Sequence, residues 1–276
     1  MGISSVGIAD ESKYAIATGM KDKERLVILN EIYNSSSLIF FQDCNIPKGA
    51  RVLELGCGIG LMSQCFALAV GDNGYVLATD ISEDQLQLAR SLLPKESISN
   101  LEFRQLSAFE IDTLNQQFDV ICARFLLVHL QNPQQLIQKI KKILKPGGKL
   151  IIEDITSNDT FYSFPHVKGM EALHHLDKLQ CEIQKSDDKY FASFPDMLQK
   201  EGFTIFSIRK TQPKLDTPTK RKSILFHLLS LKDTLITNKK MNEEECSQIY
   251  QKIQELEQTP SIEIYYYELG QICGIF

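Results

Sequence analysis

Three glycines alternate with other residues in the stretch VLELGCGIGLMSQ, at Gly56, Gly58 and Gly60. An apolar, strand-like run leads into them and helical periodicity starts behind them. Backbone without Cβ atoms can turn sharply and let a ligand approach its N–H groups, and the start of the following helix favours negative charge. Asp80 stands at the end of the next apolar run, twenty positions after Gly60. A carboxylate there can accept both hydrogen bonds of a ribose diol, or serve as a turn aspartate beside Ser82. Loop and carboxylate together describe a nucleotide-type ligand. A dinucleotide fingerprint needs G-x-G-x-x-G, whereas this chain has G-x-G-x-G with Leu61 in place of the third glycine. The pattern alone leaves a dinucleotide and other nucleosides both open.

Composition narrows the classes. The 276 residues, 43% hydrophobic, suffice for a sizeable core, and a net charge of −5 argues against a general nucleic-acid or anionic-membrane binder. The N-terminus lacks a basic start with an apolar core, and no apolar run approaches the roughly 20 residues that span a bilayer. A cytoplasmic protein without a membrane segment is expected. Met1-Gly2 is followed by Val6 where a myristoylation signal favours Ser or Thr. The seven cysteines form no CxxC pair, the five histidines show no HExxH spacing, and His174 and His175 are adjacent. Free, mostly buried thiols and no metal site are expected.

The elements that position the loop follow from periodicity. Strands are expected over Arg51–Leu55, Tyr75–Thr79, Leu101–Leu106, Phe118–Ala123 and Lys149–Ile155, with helices between most of them. Ser82 with Gln85 reads as a capping box, and Asn132 with Pro133 starts a helix that stops at KPGG. This is the rhythm of a parallel α/β sheet with right-handed crossovers. The expected organisation is a helical cap at 1–48, with helices over Lys21–Tyr33 and Ser35–Gln42. A parallel α/β core at 49–155 and an insertion at 156–202 follow. C-terminal strands at 203–276 then enclose a helical insertion at 219–258. Met170, Leu173 and Leu176 share a face in the first insertion. Strands are expected at Phe203–Lys210 and Ile262–Cys273.

Five segments in order resemble the class I S-adenosylmethionine-dependent methyltransferases: VLELGCGIG, LATDIS, RQLSAFE, FDVICARFLLVHLQNP and LKPGGKLIIED. The resemblance covers roughly Gly49 to Ile155. It implies an α/β, Rossmann-like fold with a seven-stranded, mostly parallel sheet whose last strand is antiparallel, here with helical cap insertions. The opening KYAIATGMKDKERL is similar to a Tyr-x-x-x-x-Gly…Glu-Arg-Leu motif of a small-molecule subset, which places Tyr14 at the cofactor.

Carried over by position, the resemblance implies that Glu54 and the loop Gly56, Cys57, Gly58 and Gly60 face the methionine part of S-adenosyl-L-methionine. Asp80 would hold the ribose, and Ile81 would pack on the adenine. Ser107, Ala108 and Phe109 would lie at the adenine edge. Arg124 would meet the cofactor carboxylate or form a structural ion pair. The cofactor's sulfonium makes its methyl electrophilic, so the protein mainly aligns a nucleophile. His129 and Asp154 are the candidate bases, and Phe125, Phe161, Tyr162 and Phe164 the candidate apolar lining. The expected activity is methyl transfer to an O, N, S or C atom of a small organic molecule, releasing S-adenosyl-L-homocysteine. The rivals are a cofactor-binding regulatory protein without turnover and, in the same fold, a nicotinamide-dependent oxidoreductase. Amphipathic cap helices serve equally as a lid over the acceptor or as the interface of a homodimer.

Overall fold

The structure, a computed structural model, describes residues 23–93, 98–167, 169–184 and 190–276. Tyr14, Lys21 and Asp22 lie outside the described residues. A seven-stranded sheet has the order β3-β2-β1-β4-β5-β9-β7. Its strands are β1 (Arg51–Leu55), β2 (Tyr75–Asp80), β3 (Leu101–Gln105), β4 (Phe118–Arg124), β5 (Leu144–Ile155), β7 (Thr204–Thr211) and β9 (Leu269–Ile275). β9 lies between β5 and β7 and is antiparallel to both. The predicted parallel core with an antiparallel final strand is thus present.

Alternation along each strand divides the sheet's two faces. Leu53, Leu55, Ile121, Leu150, Ile152 and Ile272 pack against α4 (Pro133–Ile143) and α6 (Phe194–Lys200). Val52, Val76, Val120, Cys122, Ile151 and Cys273 pack on the other face, under α2 (Leu61–Val70) and the end of α1 (Lys23–Asp43). α3 (Glu83–Ser91) covers the β2–β3 edge, with Leu86 buried against Ala78.

The remaining elements form a cap with its own core. α5 (Gly169–Gln184), α7 (Pro218–Thr237) and α8 (Glu243–Glu257) gather Met170, Leu173, Leu176, Leu231 and Ile253 against Ile28, Ile32 and Tyr33 of α1. A two-stranded ribbon, β6 (Tyr162–Phe164) with β8 (Glu263–Tyr265), closes it. Phe125 and Ile155, just beyond or at the ends of β4 and β5, pack on this cluster, so the cap rests on the carboxyl edge of the sheet. Inside it Asp177 accepts from Tyr267 Oη at 2.7 Å and meets His227 Nε2 at 2.9 Å, while Tyr33 Oη donates to the Tyr267 carbonyl at 2.9 Å. Buried polar groups are satisfied in this way, stapling α1, α5, α7 and the β8–β9 connection.

Three sequence expectations need correction. The two helices expected over Lys21–Tyr33 and Ser35–Gln42 are one helix through Asn34-Ser35-Ser36-Ser37. These residues favour caps because their side chains compete for backbone groups. Here Ser36 Oγ bonds the Tyr33 carbonyl at 2.8 Å and Ser37 Oγ bonds a core carboxylate, so neither stops the helix. The strand expected over Ile262–Cys273 is two, split where Tyr266 and Tyr267 turn into the cap core. The Ser82 capping box is half made. Gln85 N donates to Ser82 Oγ at 3.4 Å, but Ser82 N donates to Asp80 Oδ1 at 2.9 Å, leaving Gln85 Oε1 buried without a partner.

The glycine loop lies between β1 and α2, and all three glycines have left-handed φ: 66° at Gly56, 53° at Gly58 and 69° at Gly60. At Gly60 a Cβ would also stand 2.6 Å from the Phe103 ring and 3.0 Å from Ala89 Cβ. Gly147 shares the left-handed φ, at 76°, but its Cβ would meet nothing within 4 Å. Gly60→Ala is therefore expected to destabilise the fold by about 2–4 kcal/mol, combining left-handed strain with overpacking. Gly147→Ala should cost only about 1–2 kcal/mol. Urea unfolding of the two variants checks this, and equal losses would contradict it.

Candidate functional site

Glu54, Arg124 and Glu153 interrupt otherwise apolar strands, and strand alternation puts all three on the face covered by α1 and α2. The register aligns them further. Arg124 of β4 pairs with Glu153 of β5, which pairs with Gln271 of β9, one pleat beyond the row Cys122, Ile151 and Cys273. A polar row thus lies along the carboxyl edge of the sheet.

Glu153 is fully buried. Its Oε2 accepts from Ser37 Oγ at 2.7 Å and lies 3.5 Å from Arg124 Nε, while Oε1 accepts from Gln271 Nε2. Burial raises its pKa, partly countered by Arg124. The Arg124 side chain is only 9% exposed. Its Nη1 donates to Asn30 Oδ1 at 3.3 Å and Asn34 Oδ1 at 3.1 Å, and the guanidinium lies 5.1 Å from the Phe125 ring centroid. Among the described residues neither Nε nor Nη2, both buried, has a hydrogen-bond partner. Arg124 also acts on Glu54, whose carboxyl burial pushes up to about 7 against the opposing pull of Ser63 and Arg124. Glu54 Oε2 accepts from Ser63 Oγ, in the first turn of α2, at 2.5 Å.

The neighbouring loop is braced by Asp80. Its Oδ2 accepts from Gly58 N at 2.8 Å and its Oδ1 from Ser82 N, while Cys57 N donates to the Thr79 carbonyl at 2.9 Å. These bonds counteract the upward effect of burial on the Asp80 pKa. At Gly58 a Cβ would meet nothing within 4 Å, in contrast to Gly56, where it would come within 3.2 Å of Leu126. Among the described residues, the loop therefore faces open space at Gly58. Ile81 is half-buried, with its carbonyl held by Gln105 Nε2 at 2.9 Å. Ser107 caps the 3₁₀ turn Ala108–Leu114, accepting from Phe109 N at 3.3 Å.

His129 ends the short turn Leu127–His129 and is half-buried. Asp154 is fully buried beneath that turn and accepts from Val128 N at 3.1 Å. Burial pushes its carboxyl up to about 7. Its Oδ2 thus clamps the turn that carries His129, while its Oδ1 has no hydrogen-bond partner among the described residues. Phe161 is buried among Tyr266 and Tyr267, whereas Tyr162 and Phe164 are exposed on the ribbon, Phe164 at 69%. Among the described residues no cluster of three or more His, Cys, Asp or Glu could hold a metal, and no described helix is long and apolar enough to cross a membrane.

A buried carboxylate, a guanidinium with a spare N–H group and an open glycine loop suit a zwitterion carrying a nucleoside. The family described as "Methyltransferase domain" matches residues 46–202, more than half of the chain. The chain belongs to this methyltransferase-domain family. Relatives include the ubiquinone/menaquinone biosynthesis C-methyltransferase UbiE of Vibrio vulnificus, 29% identical over 153 residues, 55% of this chain and 58% of that protein. The ubiquinone biosynthesis O-methyltransferase of Acinetobacter baylyi is 29% identical over 131 residues, 47% of this chain and 54% of the relative. The match thus spans little more than half the length of these relatives. In fold, the chain is similar to the YcgJ protein of Bacillus subtilis, with a TM-score of 0.58 and 16% identity over 87% of this chain and 98% of the other.

Several residues of this candidate site were not singled out by sequence reasoning. Ser63, Glu153 and Gln271 belong to it, and Asn30, Asn34 and Ser37 reach it from α1. Glu153 carried a usable signal, since buried parallel strands are continuously apolar and a second acid beside Asp154 breaks that rule. The α1 residues carried none, because their partners lie about a hundred positions away.

A raised folded-state pKa fixes the sign of a pH effect. Glu54 contributes stability below the ordinary carboxylate range, and that contribution is lost as pH rises towards about 7. Glu54→Gln, which stays neutral, should therefore gain thermal stability relative to the unmodified protein between about pH 5 and about pH 7.5. Paired melting curves at the two pH values check this. A constant difference would contradict it.

Proposed function

We propose that this chain is an S-adenosylmethionine-dependent methyltransferase acting on a small organic molecule, with S-adenosyl-L-homocysteine as the released product. The observation that carries the reading is a glycine loop left open at Gly58 among the described residues, with the buried Glu54 carboxyl on β1 and an Arg124 guanidinium edge without a hydrogen-bond partner on the neighbouring β4. Glu54 suits an ammonium, Arg124 a carboxylate, and the amino-acid end of this cofactor carries both. Asp80 receives the backbone N–H groups of Gly58, Ser82 and Ile81, and a carboxylate has about four acceptor positions, so a ribose hydroxyl can still be received. Ser107, Ala108 and Phe109 at the end of β3 and Ile81 at the end of β2 are the residues assigned to the adenine, and Gly56, Cys57 and Gly60 shape the loop.

When bound, the cofactor supplies an electrophilic methyl group. The chain's part is to bind, orient and exclude water. Arg124 and Glu54 fix one end of the ligand, and Asp80 fixes the other. The cap core of Tyr33, Phe161 and Tyr266 covers the carboxyl edge beside Phe125, which suits an organic acceptor reaching the site from the cap side. His129, held in place by the clamped turn, is assigned the removal of a proton from an acceptor that needs it. The named relatives, a C-methyltransferase and an O-methyltransferase of ubiquinone biosynthesis, support a small-molecule acceptor without selecting its atom.

Asp80→Ala should weaken S-adenosylhomocysteine binding by roughly 1–3 kcal/mol, through loss of a charged acceptor. Calorimetric titration of the folded variant checks this, and unchanged affinity would remove Asp80 from the site.

A further inference from the structure

α1 presents Asn30, Asn34 and Ser37 at spacings of four and three residues, one stripe of a helix. The stripe lies directly over the polar row of the sheet. Ser37 meets Glu153, and Asn30 and Asn34 both meet Arg124 Nη1. Helical and strand periodicities therefore bring two polar lines together where each would otherwise be buried against apolar surface.

The arrangement does more than satisfy Arg124. Both asparagines accept at Nη1 and Glu153 lies on the Nε side, so the guanidinium is held from two directions. Among the described residues Nη2 is left buried with neither a hydrogen-bond nor an ion-pair partner, whereas Nε, also without a hydrogen bond, keeps its ion-pair contact to Glu153. An unmet N–H group on a cation in a buried site costs free energy unless an acceptor arrives. β4 lies beside β1, with Cys122 opposite Glu54 and Ala123 opposite Leu55, so Arg124 stands beside the start of the glycine loop.

Resting on the functional reading above, we propose that Asn30 and Asn34 are positioning residues that aim Arg124 Nη2 at the carboxylate on the amino-acid end of the cofactor. By the same contacts, that carboxylate fastens α1 over the site. Asparagine suits the task because it offers a neutral carbonyl acceptor. An aspartate would neutralise the guanidinium and repel the incoming carboxylate.

Two ligands separate this role from a merely structural one. S-adenosylhomocysteine carries the amino-acid end, and 5′-methylthioadenosine has the same nucleoside and thioether without it. Calorimetry with the double variant Asn30→Ala/Asn34→Ala is expected to show about tenfold or greater weakening for S-adenosylhomocysteine. Affinity for methylthioadenosine should hold within about twofold. Hydrogen exchange of the unmodified protein supplies a second readout that needs no variant to fold. S-adenosylhomocysteine should slow exchange across Ile28–Ser37, and methylthioadenosine should not. Equal weakening of both ligands, no weakening of either, or the same α1 protection by both would overturn the proposal while leaving the cofactor assignment standing. Failure of the unmodified protein to bind either ligand would overturn the cofactor assignment, and this proposal with it.

Discussion

A guanidinium buried at the carboxyl edge of a parallel sheet must be compensated, and much of this molecule is arranged around the compensation of Arg124. The unpaired charge would be costly in a low-dielectric site, so a carboxylate has to stand beside it, and that carboxylate in turn needs donors. Glu153 supplies the first requirement, and Ser37 and Gln271 supply the second. Because Ser37 belongs to α1 and Gln271 to β9, one ion pair ties the N-terminal helix and a C-terminal strand to the centre of the sheet. The asparagines of α1 complete the arrangement.

The glycine loop is the second constraint. Three left-handed glycines within five residues would be floppy if left alone, since glycine gives up the most conformational freedom on folding. Asp80 removes that freedom by holding Gly58 N and Ser82 N on its two oxygens, linking the β1 loop to the β2 turn. The same carboxylate that suits a ribose therefore also prepares the loop that faces the rest of the ligand. Binding to a surface already ordered loses less entropy than binding to one that must be ordered.

Much of this was legible in the sequence, for physical reasons that differ between elements. Strands β1 to β4 begin where alternating or continuous apolar runs begin, because burial on a sheet face is a local demand on side-chain type. Asn132 and Pro133 start α4 as expected because a cap is a contact three residues long. The unbroken α1 was not legible, since Ser37 abandons its local capping role only because Glu153 waits 116 positions away. The split of the last strand has the same character: Tyr266 and Tyr267 leave the sheet for partners on α1, α5 and α7. At the site, the glycines and Asp80 stood out by type and spacing, and Glu54 and Arg124 through the family resemblance. Asn30 and Asn34 did not, because nothing in a helical sequence marks a residue whose partner is on another element.

The claim on which the account depends is that the charged glycine-loop site receives S-adenosylmethionine or its product. Native mass spectrometry of freshly purified protein, followed by addition of S-adenosylhomocysteine, tests it most directly. The account predicts one such ligand per chain, either carried through purification or retained after addition. Folded protein that retains none on addition, or that retains a nicotinamide dinucleotide instead, would contradict it.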